Sequence, residues 1–278
     1  MLSDAFSSCQ VEKNHLETDS PQWRRDLETA TQSPTSDNIA VLVTLLSDPA
    51  SGEMPRQAIA EALGRTGHAD ASDALLRGTS DKDETLRGLC AIGLGAIHSR
   101  DSVIRLLDLL TDGSNTVRNL AERSLLQMPE AISQFGIECL IELLEHPVPL
   151  SRSPAARLLG LTQDPRGLVP LVKHLKQDKQ WLVRMWAAKG LGDLGSDSAF
   201  DDLAERLQND EKNRVRAAAA EAIGKLHHPG SEAVLTAALS DPDGGVQKHA
   251  EESLAKLRRA QIGYDEPEEH HEPHFEDE

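Results

Sequence analysis

Apolar residues fall three and four positions apart through most of the chain, and they do so in paired stretches. The first member of each pair is short and amphipathic, as in DNIAVLVTLLSD (37–48), DSVIRLLDLLTD (101–112) and DSAFDDLAERLQND (197–210). The second is rich in alanine, as in EMPRQAIAEALGRTG (53–67), ETLRGLCAIGLGAI (84–97) and NRVRAAAAEAIGKLHH (213–228). The spacing predicts two helices per pair. An aspartate closes most of the first helices, where its carboxylate can cap the second.

The pairs are copies of one another. An arginine recurs as Arg56, Arg87, Arg118, Arg152, Arg184 and Arg216, with Gln247 in the seventh place, at steps of 31 to 34 residues. Seven residues after it lies Leu63, Leu94, Leu125, Leu159, Leu191, Ile223 or Leu254. The next position is Gly64, Gly95, Gly160, Gly192 or Gly224, but Leu126 in the third copy and Ala255 in the last. Such a glycine allows either close helix packing or helix termination. Six residues before the arginine place lie Asp81, Asp112, Asp178, Asp210 and Asp241, with His146 in the fourth copy. A single helix pair cannot bury its apolar face, whereas stacked pairs bury a continuous one. The expected fold is therefore an all-α solenoid of about seven two-helix repeats over residues 37–260.

This pattern resembles HEAT repeats, and among them the short repeat of phycobilisome bilin-lyase proteins. The residues that carry the likeness are those typified by Asp178, Arg184, Ala187, Ala188, Leu191 and Gly192. The resemblance implies a right-handed superhelix whose second helices line a concave face. It also implies a structural ladder between neighbouring repeats, made here of Asp81, Asp112, Asp178, Asp210 and Asp241 with Arg87, Arg118, Arg184 and Arg216.

The fourth repeat departs from the pattern. His146 stands in the aspartate place, Pro147, Pro149 and Pro154 crowd the second helix, and three extra residues precede it near MPEAISQFG. An irregular stacking angle is expected there. The ends differ too. Residues 1–36 form a polar segment whose SPQWRRDLETATQ stretch suits a capping helix, and 261–278 form an acidic tail with too little apolar content for a core.

Charge narrows the partners. The net charge is −17; the tail from Tyr264 supplies −8 and the first 36 residues −3, which leaves −6 on the repeats. That balance argues against nucleic acid and against an anionic membrane surface. Aromatics are 3% of the chain, which disfavours strands. Three scattered cysteines and no leader-like N-terminus suit the cytoplasm.

No catalytic set stands at a useful spacing, and no cofactor is implied by any motif. Some HEAT-like proteins are iron enzymes with His-Glu pairs on repeat helices; here His-Glu occurs once, at His271-Glu272 in the tail. His270, His271 and His274 are weak candidates for metal binding. The position five after the arginine place is basic in three successive repeats, at Arg123, Arg157 and Lys189, with Asn119 and Met185 beside them. Trp181 opens a second helix where other repeats carry polar residues, which marks a candidate anchor, while Trp186 falls at a core position. These residues read as a partner-binding groove. The function expected is a non-enzymatic scaffold or adaptor holding an acidic segment of a partner protein. The family resemblance implies the alternative, a bilin-lyase-like or tetrapyrrole-handling chaperone subunit, with the three cations pairing propionates and Trp181 stacking on the ring.

Overall fold

A computed structural model of the chain describes residues 21–262, with side chains through residue 260. Among the described residues every regular element is helical, α or short 3-10. A helix over Gln22–Gln32 precedes the repeats and packs on the first pair. The second helices run over Glu53–Thr66, Glu84–Gly95, Asn115–Leu125, Pro149–Thr162, Trp181–Leu194, Asn213–Leu226 and Gly244–Ile262. The first helices are shorter, as in Ser36–Ser47, Arg100–Leu109, Leu168–Gln177 and Phe200–Asn209. In the fourth repeat the first helix is split into Pro129–Phe135 and Ile137–Leu144, and the extra residues are absorbed there. The second helix that follows runs unbroken through Pro154.

The chain divides into two compact units, residues up to 143 and residues from 144 onward. Within each, successive second helices stack on one another and successive first helices do the same. The leucine or isoleucine seven residues after the arginine place is buried in every repeat, from Leu63 to Leu254. This is one stripe of a 3.6-residue period turned inward.

The glycine that follows it serves close packing. A Cβ on Gly64 would lie 2.7 Å from the Gly93 Cα, and one on Gly160 would lie 2.2 Å from the Gly190 Cα. Termination is a separate event three residues later, where the chain turns left-handed at Gly67 and Gly195 and also at His98, Gln163 and His227.

The aspartate at the end of each first helix holds the turn rather than the following helix. Asp112 accepts the Ser114 amide at 2.8 Å, and Asp178 accepts the Gln180 amide at 2.9 Å. In the fourth repeat the His146 ring does the same work, its Nδ1 accepting the Val148 amide at 3.2 Å.

Candidate functional site

Each aspartate meets the arginine of the repeat before it. In the first unit Arg87 donates through Nε and Nη2 to Asp112 at 3.0 and 2.9 Å, while Nη1 donates to the Asp81 carbonyl at 2.9 Å. Arg56 reaches Asp81 at 2.8 Å. In the second unit Arg152 forks onto Asp178, Arg184 onto Asp210 and Arg216 onto Asp241, all between 2.7 and 2.9 Å. The bidentate fit ties neighbouring repeats together with charge-assisted bonds. Burial pushes the Asp178 and Asp210 carboxyls up, but their arginines and backbone donors overrule it and hold both below the usual range. Arg118 bonds within its own repeat, to the Asp112 carbonyl and the Asn115 side chain.

The positions five and nine after the arginine form one stripe, exposed or half-buried, because four residues return a helix to the same face. In the second unit this stripe is an alternating network. The Arg157 guanidinium lies 4.7 Å from the Trp186 ring centre, and the Lys189 ammonium lies 5.8 Å from it. Lys189 pairs with Glu221 at 3.1 Å, and Lys225 pairs with Asp193 at 2.7 Å and Glu221 at 3.1 Å. Burial pushes the Glu221 carboxyl up and the Lys225 ammonium down; pairing of Glu221 with Lys189 and Lys225, and of Lys225 with Asp193 and Glu221, reverses both shifts. Trp186 is therefore half-buried under two cations and not part of the core, which corrects the expectation from its sequence place. Trp181 is half-buried in the first turn of its helix, with the Arg214 guanidinium 5.5 Å from its ring centre, and Met185 is half-buried one turn on.

In the first unit the stripe is differently built. Arg123 is exposed and has no hydrogen-bond or ion-pair partner among the described residues. It stands at a notch of about 370 Å³ lined by Ile92, Gly95, Ala96, Arg123, Ser124 and Gln127. Asn119 is exposed one turn earlier on the same helix.

A further cleft of about 460 Å³ lies in the second unit, beside a cluster that sequence reasoning passed over. The buried His174 ring sits 3.2 Å from Asp178 through Nδ1 and 3.3 Å from Glu145 through Nε2. Lys173 donates to the same Glu145 oxygen at 2.6 Å. The signal available was the four-residue spacing of His174, in the last turn of its helix, and Asp178, which caps that helix's end.

Among the described residues no group of three or more His, Cys, Asp or Glu side chains is placed to hold a metal ion. The iron site of HEAT-like enzymes does not fit these repeats. His270, His271 and His274 lie outside the described residues. Burial pushes the Cys90 thiol up to about 12, which disfavours the thiolate. Among the described residues no helix is long and apolar enough to cross a membrane.

The family model for HEAT repeats matches residues 39–126, 137–224 and 202–267. A deoxyhypusine hydroxylase of Aspergillus clavatus is 29% identical over 78% of this chain and 67% of its own length. One from Drosophila pseudoobscura pseudoobscura is 25% identical over 66% of this chain and 68% of its own. A HEAT repeat-containing taxis protein of Halobacterium salinarum is 29% identical over 62% of this chain and 38% of its own. Among solved structures, that of Kap95p with RanGDP superposes at a TM-score of 0.61 over 83% of this chain and 36% of the matched one, at 14% identity, a likeness of fold alone.

The relatives correct the functional expectation. The two deoxyhypusine hydroxylases, which align along 66–78% of this chain and 67–68% of their own, bear the names of enzymes, which overturns the non-enzymatic scaffold for an acidic segment and its bilin-lyase-like alternative together. The geometry supplies a physical reason for part of it. Lys189 is already neutralised by Glu221 and Arg157 is engaged with Trp186, so the three stripe cations do not act together as an open anion receptor, and Arg123 alone of them is left without a partner among the described residues.

Proposed function

The chain belongs to the HEAT repeat family, and from that premise we propose that it works on a polypeptide bearing a lysine-derived amine side chain. The observation that carries this reading is the likeness to deoxyhypusine hydroxylases, whose name gives their substrate as such a residue. HEAT repeats suit a protein-borne substrate, since stacked helix pairs expose an extended surface. Electrostatics agree: a chain of net charge −17 attracts cations. On the stripe of the second unit, Asp193 and Glu221 already hold an ammonium, that of Lys225. No hydroxylation step is assigned to the described residues, because they hold no metal-ligating set.

Two finer readings accompany this one. The aspartate and arginine six apart and the following Ala-Ala…Leu-Gly favour the short phycobilisome-lyase type of repeat, as a matter of fold. The free thiols of Cys90 and Cys139 suit the cytoplasm.

The test uses the purified full chain and one target protein in two forms, carrying lysine or deoxyhypusine. Binding is read by biolayer interferometry, and the target's intact mass is read after aerobic incubation with ferrous iron. Tighter binding of the deoxyhypusine form, or the gain of one oxygen, supports the reading. Equal binding of both forms with unchanged mass overturns it.

A further inference from the structure

The notch of the first unit is independent of the amine reading. Its two walls differ in chemistry. Ile92 and Ala96, four residues apart at the end of the Glu84–Gly95 helix, form an aliphatic wall, and Ile92 is 46% exposed. Arg123 and Gln127, four residues apart at the end of the Asn115–Leu125 helix, form a wall of hydrogen-bond donors. The floor is the close approach of the two helices, where a Cβ on Gly95 would lie 2.8 Å from the Ser124 Cβ. An exposed arginine with no partner among the described residues, in an acidic chain, lines the same notch as an uncovered isoleucine. Aliphatic contact on one side and a charge-assisted fork on the other select a ligand with an aliphatic group and a carboxylate on opposite faces.

We propose that this notch receives the C-terminal residue of a partner polypeptide, with its aliphatic side chain against Ile92 and Ala96 and its terminal carboxylate on Arg123. A single terminal carboxylate matches the one guanidinium that lines the notch, whereas a run of acidic side chains would be repelled by a chain of net charge −17. The notch opens to solvent on an exposed helix face, so its ligand must continue outward, as a chain end does. A small molecule would ask for deeper enclosure.

The experiment is fluorescence polarisation with the full chain and a labelled GSGSAL peptide, as free acid and as terminal amide. The free acid binds, and the amide binds at least tenfold more weakly. Arg123→Gln removes the preference for the acid. Ala96→Trp, which fills the notch from an exposed helix end, abolishes binding of both, with circular dichroism showing that each variant keeps its helices. Acid and amide binding alike, a preference that survives Arg123→Gln, or an absence of binding by the acid overturns the proposal. So does octanoate competing as strongly as the peptide, which would give the notch to free carboxylates.

Discussion

Arg184 shows what one rung of the ladder does. Its side chain is 9% exposed, and the carboxylate it forks onto, Asp210, is 1% exposed. Arg184→Ala would leave that carboxylate buried without its fork. Breaking a buried pair from one side costs about 3–5 kcal/mol. Urea unfolding of this variant should show a loss of that size. The double variant Arg184→Met with Asp210→Leu should recover most of it, because removing both charges also removes their desolvation. A loss in the double variant equal to the single would place the cost in packing instead. The sequence shows the arginine and the aspartate of one repeat, six apart. It does not show that the arginine forks onto the next repeat's aspartate and gives only its Nη1 to its own, as Arg184 does to the Asp178 carbonyl at 2.9 Å.

At the scale of elements, stability depends on how closely second helices approach. Gly160 meets Gly190 backbone to backbone, Gly192 meets Ala222, and Gly224 meets Ser253. Each is a glycine against a small residue of the following repeat. Alanine is favoured over glycine by about 1 kcal/mol in an exposed helix, so Gly160→Ala would stabilise a lone helix. Here the added Cβ would lie 2.2 Å from the Gly190 Cα, and a backbone cannot swing away. Overpacking of this kind costs about 1–3 kcal/mol. A lowered urea midpoint for Gly160→Ala is expected; a raised one would show that the helices separate easily. The glycine period is plain in the sequence, but its purpose is not: the same residue type also ends helices.

At the scale of the whole molecule, the ladder makes stability depend on pH. Asp241 is held below the usual carboxylate range by Arg216, against the push of burial, and Asp81, Asp112, Asp178 and Asp210 are also held low. Their folded values lie below the unfolded value of about 4. The stability they contribute is therefore complete above that value and is lost as pH falls through the folded values. Thermal unfolding followed from pH 7 downward should hold nearly level to about pH 5 and then fall steeply. A midpoint unchanged at pH 3 would mean that the rungs contribute little. Relief of the −17 net charge on acidification acts the other way and softens the fall without reversing it.

The amino-acid sequence by itself determined the helices, their pairing into repeats and the buried stripe from Leu63 to Leu254, because each follows from a period of a few residues within one segment. It also carried the chemistry of the rungs, since aspartate and arginine recur at fixed places. Tertiary structure alone decided who meets whom. Trp186 occupies a core position in the repeat phrase, yet stacking places it half-buried beneath Arg157 and Lys189. Lys189 belongs to a basic run along the chain, yet its neighbour in space is Glu221, 32 residues on. The notch at Arg123 exists only because Gly95 lets one helix settle onto Ser124 of the next. Contacts between residues one repeat apart depend on the distance and angle at which helices stack, and local periodicity does not contain that information.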